Sequence, residues 1–222
     1  MHRSGTSCLT GIIQQCGVEL GEVFTENPFN RKGNRESAAV QALNNQVLEA
    51  NGGAWNHPVE VTSWSAEQGE ARNAIIADLR ARASRWWGFK DPRVLLTLPF
   101  WLEALASPRF IGTFRHPHRV ALSLNHRDGM PFDDAYALWL AYNQRLIACQ
   151  ARFGFQLVDF DLPEAGYRED VEKKLEQLGL ESAETLFFDS QLRHQTVEET
   201  DVVLPVAVQA TYDELRRLHG AV

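Results

Sequence analysis

Apolar residues follow two alternating patterns along the chain, and each pattern predicts one kind of element. Spacings of three and four residues, typical of amphipathic helices, occur at residues 9–16, 40–48, 71–86, 120–127, 136–147, 171–178 and 205–218. Short and mostly apolar runs, typical of buried strands, occur at residues 87–90, 110–114 and 155–160. Helices that alternate with strands predict an α/β fold in three layers, with a mostly parallel central sheet between two layers of helices.

The segments between these elements give no sign of a second domain. The chain has 222 residues, of which 44% are apolar, and it carries no internal repeat, low-complexity segment or recognisable linker. Residues 18–35 are rich in glycine and asparagine and predict a long loop. A chain of this length can form one large domain, so we predict a single domain over residues 1–222.

The charge balance restricts the partners that the chain can bind. Its formal net charge of −7 argues against general binding of nucleic acid or of anionic membrane surfaces. A polyanionic ligand would therefore need a local basic pocket. The basic residues that could supply such a pocket are Arg3, Lys90, Arg93, Arg115, Arg119 and Arg127.

The cysteines and the lengths of the apolar segments bear on location. Cys8, Cys16 and Cys149 form no C-x-x-C motif, and an odd, sparse set is typical of small buried residues in a reducing compartment. No run of about 18 apolar residues is present, so the sequence predicts no membrane span. We expect a cytoplasmic protein.

The first motif is a run of small residues that leads directly into a predicted helix. It consists of Ser4, Gly5, Thr6 and Ser7 and follows Arg3. Such a loop directs backbone N–H groups of the helix N-terminus toward one point, where a phosphate can bind. An ordinary Ser/Thr N-cap on a surface helix explains the same residues equally well. No Gly-Lys-Ser/Thr sequence is present, which argues against an ATP or GTP loop of the Walker type.

The second motif begins where the apolar run at residues 110–114 ends. Arg115 follows this predicted strand, and Pro117 fits the first turn of the helix after it. Open α/β sheets bind ligands at the carboxyl ends of their strands, where Arg115 is expected to lie. Ser123 is on the following helix, so Arg115 and Ser123 can hold one anion from two sides.

Together the two motifs resemble those of the sulfotransferases that use 3′-phosphoadenosine 5′-phosphosulfate (PAPS). In that family a small-residue loop with a leading Lys or Arg, similar to residues 3–7, binds the 5′-phosphosulfate. An Arg…Ser pair similar to Arg115 and Ser123 binds the 3′-phosphate, and a Lys at a strand end is similar to Lys90. The resemblance implies a sulfotransferase fold of the P-loop NTPase type and transfer of a sulfuryl group from PAPS to a hydroxyl or amine.

One feature departs from the family pattern. Family members carry a hydrophobic strand, usually ending in glycine, directly before the loop, and the sequence begins at Met1 without it. In the family this strand lies centrally in the sheet. We therefore expect the first strand to be missing or replaced in this chain, and we expect a restored strand ending in glycine to raise its stability.

The resemblance also implies roles in the reaction. Arg3 would hold the 5′-phosphate and its bridging oxygen, and Lys90 would act on the same bridge from the acceptor side. Relatives use His or Glu as the general base, and Pro92 stands where some of them carry His. Glu36 follows a loop similar to one that faces the acceptor in bacterial relatives, and this makes Glu36 the leading candidate for the base.

Simpler explanations exist for both residues outside the nucleotide motifs. Lys90 can form a surface salt bridge with Asp91. Glu36 can be an acid at a helix start, where the helix dipole favours negative charge. Glu26 and Asp91 are weaker candidates for the base.

The cofactor and the remaining ligands follow from the same resemblance. The cofactor is PAPS, and Arg193 is a weaker candidate for binding it because its region contacts the nucleotide in relatives. His116 and His118 have no acid or cysteine at ligand spacing, so no metal is predicted. The expected acceptor is a carbohydrate or a small hydroxylated molecule. Two other functions stay open, a P-loop-type nucleotide kinase and a non-catalytic nucleotide-binding relative.

Overall fold

The computed structural model describes residues 1–26, 33–181 and 202–220. Its helices are α1 (Thr6–Gln15), α2 (Ala38–Ala50), α3 (Ala66–Arg82), α4 (Val94–Leu102), α5 (Pro117–Asp128), α6 (Phe132–Phe153), α7 (Glu164–Gln177) and α8 (Val206–Gly220). Its strands are β1 (Val18–Glu19), β2 (Trp86–Trp87), β3 (Ile111–Phe114) and β4 (Gln156–Asp159). The α/β class is confirmed, with short parallel strands and a predominance of helix. Among these described helices, none is long and apolar enough to cross a membrane.

The described chain falls into two compact units. Unit 1 comprises Met1–Leu9 and Arg109–Val222, and unit 2 comprises Thr10–Pro108. In the part of the chain that the structure describes, unit 1 contains the parallel pair β3–β4, and unit 2 contains the parallel pair β1–β2. Each of these sheets has two strands of two to four residues, and the expected central sheet between two layers of helices stays a prediction. The single domain over residues 1–222 stays a prediction.

Two strands also differ in position from the sequence prediction. β1 lies inside the predicted long loop, and β2 precedes most of the apolar run at residues 87–90. A strand of two residues is too short to produce a periodic pattern, so the sequence could not show it.

The sheet of unit 1 sets the position of the second motif. Ile111–Phe114 pairs in register with Gln156–Asp159. Since the pairing is parallel, both strands end at the same edge. Arg115 directly follows β3, and Asp161 lies two residues beyond the end of β4. The sequence therefore places two charged residues close to the carboxyl ends of neighbouring strands.

Local signals fix the two helices that follow β3. α5 begins at Pro117, whose fixed φ suits a first helical turn, and the His116 side chain accepts a hydrogen bond from an N–H of that turn. α5 and α6 both end at glycines in the left-handed conformation, Gly129 and Gly154. These start and stop signals hold Ser123 in the middle of a well-defined helix.

The core of unit 1 is aromatic and supports the end of β3. Its large, fully buried side chains are Phe114, Leu124, Trp139, Tyr142, Leu157, Tyr167, Leu175 and Leu215. The Trp139 indole N–H donates a hydrogen bond to the carbonyl of Arg115 at 3.1 Å. This bond fixes the backbone from which the Arg115 side chain departs.

The core of unit 2 contains one buried amide that joins two helices. The Asn44 side-chain oxygen on α2 accepts hydrogen bonds from Thr97 Oγ1 at 2.7 Å and from Trp101 Nε1 at 2.8 Å on α4. A buried polar atom with two donors specifies one arrangement of its neighbours. Asn44 thus fixes α2 against α4, the helices that follow Glu36 and Lys90.

Candidate nucleotide-binding site

Residues 3–7 form a tight turn that leads into α1 in unit 1. Arg3 and Gly5 have positive φ angles of 64° and 80°, and the helix begins at the next residue. The Gly5 carbonyl accepts hydrogen bonds from the N–H groups of Cys8 and Leu9, at 3.0 and 3.1 Å. The small-residue loop predicted before a helix N-terminus is therefore present, with Thr6 and Ser7 in the first turn of the helix.

Ser4 is buried at the centre of this turn. Its carbonyl accepts a hydrogen bond from Thr113 Oγ1 on β3 at 3.0 Å, which ties the loop to the sheet. Its own hydroxyl is buried and has no hydrogen-bond partner within the described residues. Buried hydroxyls are normally hydrogen-bonded, so an oxygen of a bound ligand would complete this group.

Gly5 lies against Phe160, the residue after β4. A Cβ atom on Gly5 would clash with Phe160 Cδ2, far inside van der Waals contact. The position therefore needs glycine both for its positive φ angle and for the close approach of the ring.

We expect Gly5→Ala to lower the free energy of unfolding by about 2–5 kcal/mol, because it combines left-handed strain with overpacking. Gly154→Ala is a matched control, since Gly154 has a φ of 62° and the added methyl group would meet no atom of a packed neighbour within 4 Å. The control should lose only about 1–2 kcal/mol. Urea unfolding of both variants measures the difference, and equal losses would show that Phe160 moves aside without cost.

Arg3 brings the two sequence motifs together. Its Nε donates a hydrogen bond to Ser123 Oγ at 2.6 Å, across 120 residues of sequence. Its carbonyl accepts a hydrogen bond from Arg115 Nη1 at 3.4 Å. The structure thus places Ser123 beside the Arg3 guanidinium and Arg115 beside the Arg3 carbonyl, and the expectation that Arg115 and Ser123 hold one anion stays a prediction.

The Arg3 guanidinium lies in surroundings that disfavour a cation. Burial, followed by the charges of Arg127 and Arg115, lowers the pKa of Arg3 from its ordinary value to about 10, and Asp128 acts in the opposite direction. Like charges that crowd a partly desolvated site favour binding of an anion, because the anion offsets their repulsion. The arginine cluster of Arg3, Arg115 and Arg127 therefore has the electrostatic character of an oxyanion site.

Asp161 connects this cluster to the start of α5, and the sequence analysis did not predict this contact. Its Oδ1 accepts hydrogen bonds from Arg115 Nε at 3.2 Å and Arg119 Nη1 at 2.9 Å, and its Oδ2 accepts one from the His116 N–H at 2.7 Å. The Asp161 N–H donates to Asp159 Oδ1 at 2.9 Å. The parallel pairing predicted for the two apolar runs was the signal that could have placed Asp161 beside Arg115.

Glu36 and Lys90, the two catalytic candidates of unit 2, form a buried ion pair. Lys90 Nζ lies 2.7 Å from Glu36 Oε1 and donates to the Asn34 carbonyl at 2.8 Å. Glu36 Oε2 accepts hydrogen bonds from Asn34 Nδ2 at 3.1 Å and Gln41 Nε2 at 3.3 Å. The carboxylate is therefore held in one orientation by three side chains.

This ion pair replaces the simpler explanation for Lys90. Asp91 pairs with Arg93 at 3.0 Å, so the salt bridge expected between Lys90 and Asp91 is wrong. Glu36 precedes Ser37, the N-cap of α2, and its carboxylate binds side chains of its own unit. Glu26, the other weaker candidate for the base, is exposed.

Burial lowers the pKa of Lys90, and the Glu36 charge opposes that shift. Between this lowered pKa and the ordinary 10.5, the unfolded chain binds more protons at this site than the folded chain, so the Lys90 contribution makes stability rise with pH. We expect Lys90→Met to remove that rise, and Lys173→Met on exposed α7 surface to keep it. Urea unfolding at several pH values up to 10.5 measures the slopes, and parallel slopes for Lys90→Met and the wild type would contradict the shift.

Two further expectations concern Arg193 and the absence of a bound metal. Arg193, the weaker nucleotide ligand, lies outside the described residues. Within residues 1–26, 33–181 and 202–220, no group of three or more His, Cys, Asp or Glu side chains could hold a metal ion. Lys90 and Glu36 belong to unit 2, and Arg3, Arg115 and Ser123 belong to unit 1.

Comparison of the chain with protein-family models, with curated proteins and with solved structures finds no match in any of the three. The resemblance to PAPS-dependent sulfotransferases stays a prediction. Its support consists of the residues named above and their contacts.

Proposed function

We propose that the protein is a PAPS-dependent sulfotransferase whose nucleotide-binding residues lie in unit 1. The observation that carries the proposal is the convergence of Arg3, Arg115 and Ser123, which come from two motifs far apart in the sequence. A nucleotide with phosphate groups on two sides of its ribose needs two cationic centres, and guanidinium forks suit phosphate oxygens. The finer fold, three layers of the P-loop NTPase type, is part of the same proposal.

The residues present fit such a ligand. In the proposal, Arg3 and the N–H groups at the start of α1 hold the 5′-phosphosulfate, where the buried Ser4 hydroxyl offers a further polar contact. Arg115 and Ser123 hold the 3′-phosphate. The lowered pKa of Arg3 supports this assignment, because burial and the repulsion of Arg127 and Arg115 are relieved when an anion binds.

The proposed reaction mainly requires stabilisation of the negative charge that develops on the leaving phosphate. When bound, PAPS supplies a sulfuryl group whose bond to the bridging phosphate oxygen breaks as an acceptor oxygen bonds to sulfur, giving the sulfated acceptor, 3′-phosphoadenosine 5′-phosphate and one proton. The Arg3 guanidinium stabilises the negative charge that develops on the leaving phosphate. We assign the proton to the Glu36 carboxylate and assistance at the bridging oxygen to Lys90, with a carbohydrate or small hydroxylated molecule as the acceptor.

Thermal-shift titration tests the proposal through ligand binding. We expect 3′-phosphoadenosine 5′-phosphate to raise the melting temperature without Mg²⁺, in a saturable way. Adenosine 5′-phosphate, which lacks the 3′-phosphate, should give a much smaller rise. A response to ATP with Mg²⁺ in place of the bisphosphate would favour a nucleotide kinase, and no response to either would contradict nucleotide binding.

Turnover is tested separately with sulfur-labelled PAPS and a panel of carbohydrates and phenols. Label should move to at least one acceptor. Saturable nucleotide binding with no transfer to any acceptor would favour a non-catalytic relative.

A further inference from the structure

Asp161 fills a set of donors of the kind that binds tetrahedral anions. The donors are two guanidiniums, from Arg115 and Arg119, and the backbone N–H of His116 at the start of α5. Helix N-termini and paired arginines are both favourable places for phosphate. Here a carboxylate of the chain itself takes all three hydrogen bonds.

The carboxylate is held there by the end of β4. The Asp161 N–H donates to Asp159 Oδ1, which fixes the backbone, and the Asp161 side chain is only 12% exposed. Asp161 therefore neutralises part of the arginine charge while no ligand is bound. The same contact makes Asp161 a negative charge directly beside Arg115.

We infer that Asp161 is an internal competitor for the phosphate group that Arg115 binds, and that it determines which anions the site accepts. A phosphate that approaches Arg115 meets the Asp161 charge within a few ångströms, where repulsion in a partly buried site is strong. Binding then requires that the carboxylate release Arg115, so weakly charged anions are rejected and a phosphate dianion with further contacts is accepted. The identity of that phosphate as the 3′-phosphate of a nucleotide rests on the proposed function, and the competition itself does not.

Inorganic phosphate is the probe, because it tests the competition without a nucleotide. We expect Asp161→Asn to bind phosphate at least about tenfold more tightly than the wild type in calorimetry at low ionic strength, since one repelling charge is removed. Glu172→Gln, on an exposed position of α7, removes the same charge and should match the wild type. Unchanged or weaker phosphate binding by Asp161→Asn would overturn the inference, and so would an equal gain in Glu172→Gln.

Two further measurements cover the case in which Asp161→Asn does not fold. Asp161→Ser also removes the charge and keeps a short hydroxyl acceptor, and it should show the same gain. In the wild type, carbon-13-labelled aspartate allows the Asp161 carboxyl resonance to be followed by NMR. That resonance should shift as phosphate saturates the site, and saturable phosphate binding that leaves it unmoved would overturn the inference.

The outcome separates this inference from the proposed function. Tighter phosphate binding by Asp161→Asn, without binding of 3′-phosphoadenosine 5′-phosphate by any form of the protein, would support the competition and contradict the sulfotransferase. Binding of 3′-phosphoadenosine 5′-phosphate by the wild type, without tighter phosphate binding by Asp161→Asn, would contradict the competition and support the proposed function.

Discussion

Arg115→Ala is expected to weaken binding of 3′-phosphoadenosine 5′-phosphate by about 100-fold or more. Arg115 is buried, at 8% exposure, and charge-assisted hydrogen bonds lost from such a site cost about 3 kcal/mol. The change also removes one of the two arginine partners of Asp161, so that of these two only Arg119 remains to balance the negative charge of that carboxylate. Calorimetry of the folded variant measures the loss.

Two further variants make this result specific. Arg168→Ala removes an arginine of the same unit that pairs with Glu164 on the partly exposed surface of α7, and its nucleotide affinity should stay within about twofold of the wild type. Arg115→Lys keeps the charge but not the guanidinium fork, so it should recover only part of the affinity. Wild-type affinity in Arg115→Ala would exclude Arg115 from the phosphate site.

The sequence was sufficient for those parts of the site that depend on local chemistry. A run of small residues before an apolar helix predicted the turn at residues 3–7, and an arginine directly after an apolar run predicted Arg115 at a strand end. Both signals are contained in fewer than about ten neighbouring residues, which is the range over which backbone propensities act. Neither these signals nor the resemblance predicted the contact between Arg3 and Ser123, which the structure adds.

The contacts that the sequence missed join side chains from distant elements. Lys90 has Asp91 beside it in sequence, yet its carboxylate partner is Glu36, 54 residues away, and Asp91 binds Arg93. The helices that follow Glu36 and Lys90, α2 and α4, are joined through Asn44, and no local pattern predicts contacts of this range. β1 and β2 were missed or misplaced for a related reason, because a two-residue strand exists only through its pairing with another strand.

Glu36→Gln is expected to affect stability and turnover together. The side chains of Lys90 and Glu36 are 13% and 7% exposed, and removing one member of a buried ion pair leaves an uncompensated charge that costs about 3–5 kcal/mol. Because the Glu36 charge is what raises the pKa of Lys90, its loss should also let burial depress that pKa further. Urea unfolding should show the loss, and Glu49→Gln on an exposed position of α2 should not.

The double variant Glu36→Gln/Lys90→Met separates the structural role of Glu36 from its proposed role as the base. It removes both charges, so it should recover most of the stability lost in Glu36→Gln. Its nucleotide affinity should stay close to that of the wild type, because Arg3, Arg115 and Ser123 are untouched. Its turnover should nevertheless be at least about 100-fold lower, the usual scale for a positioned general base. Wild-type turnover in a folded double variant would show that another group takes the proton, and stability that stays low would show that Glu36 and Lys90 contribute through contacts other than their ion pair.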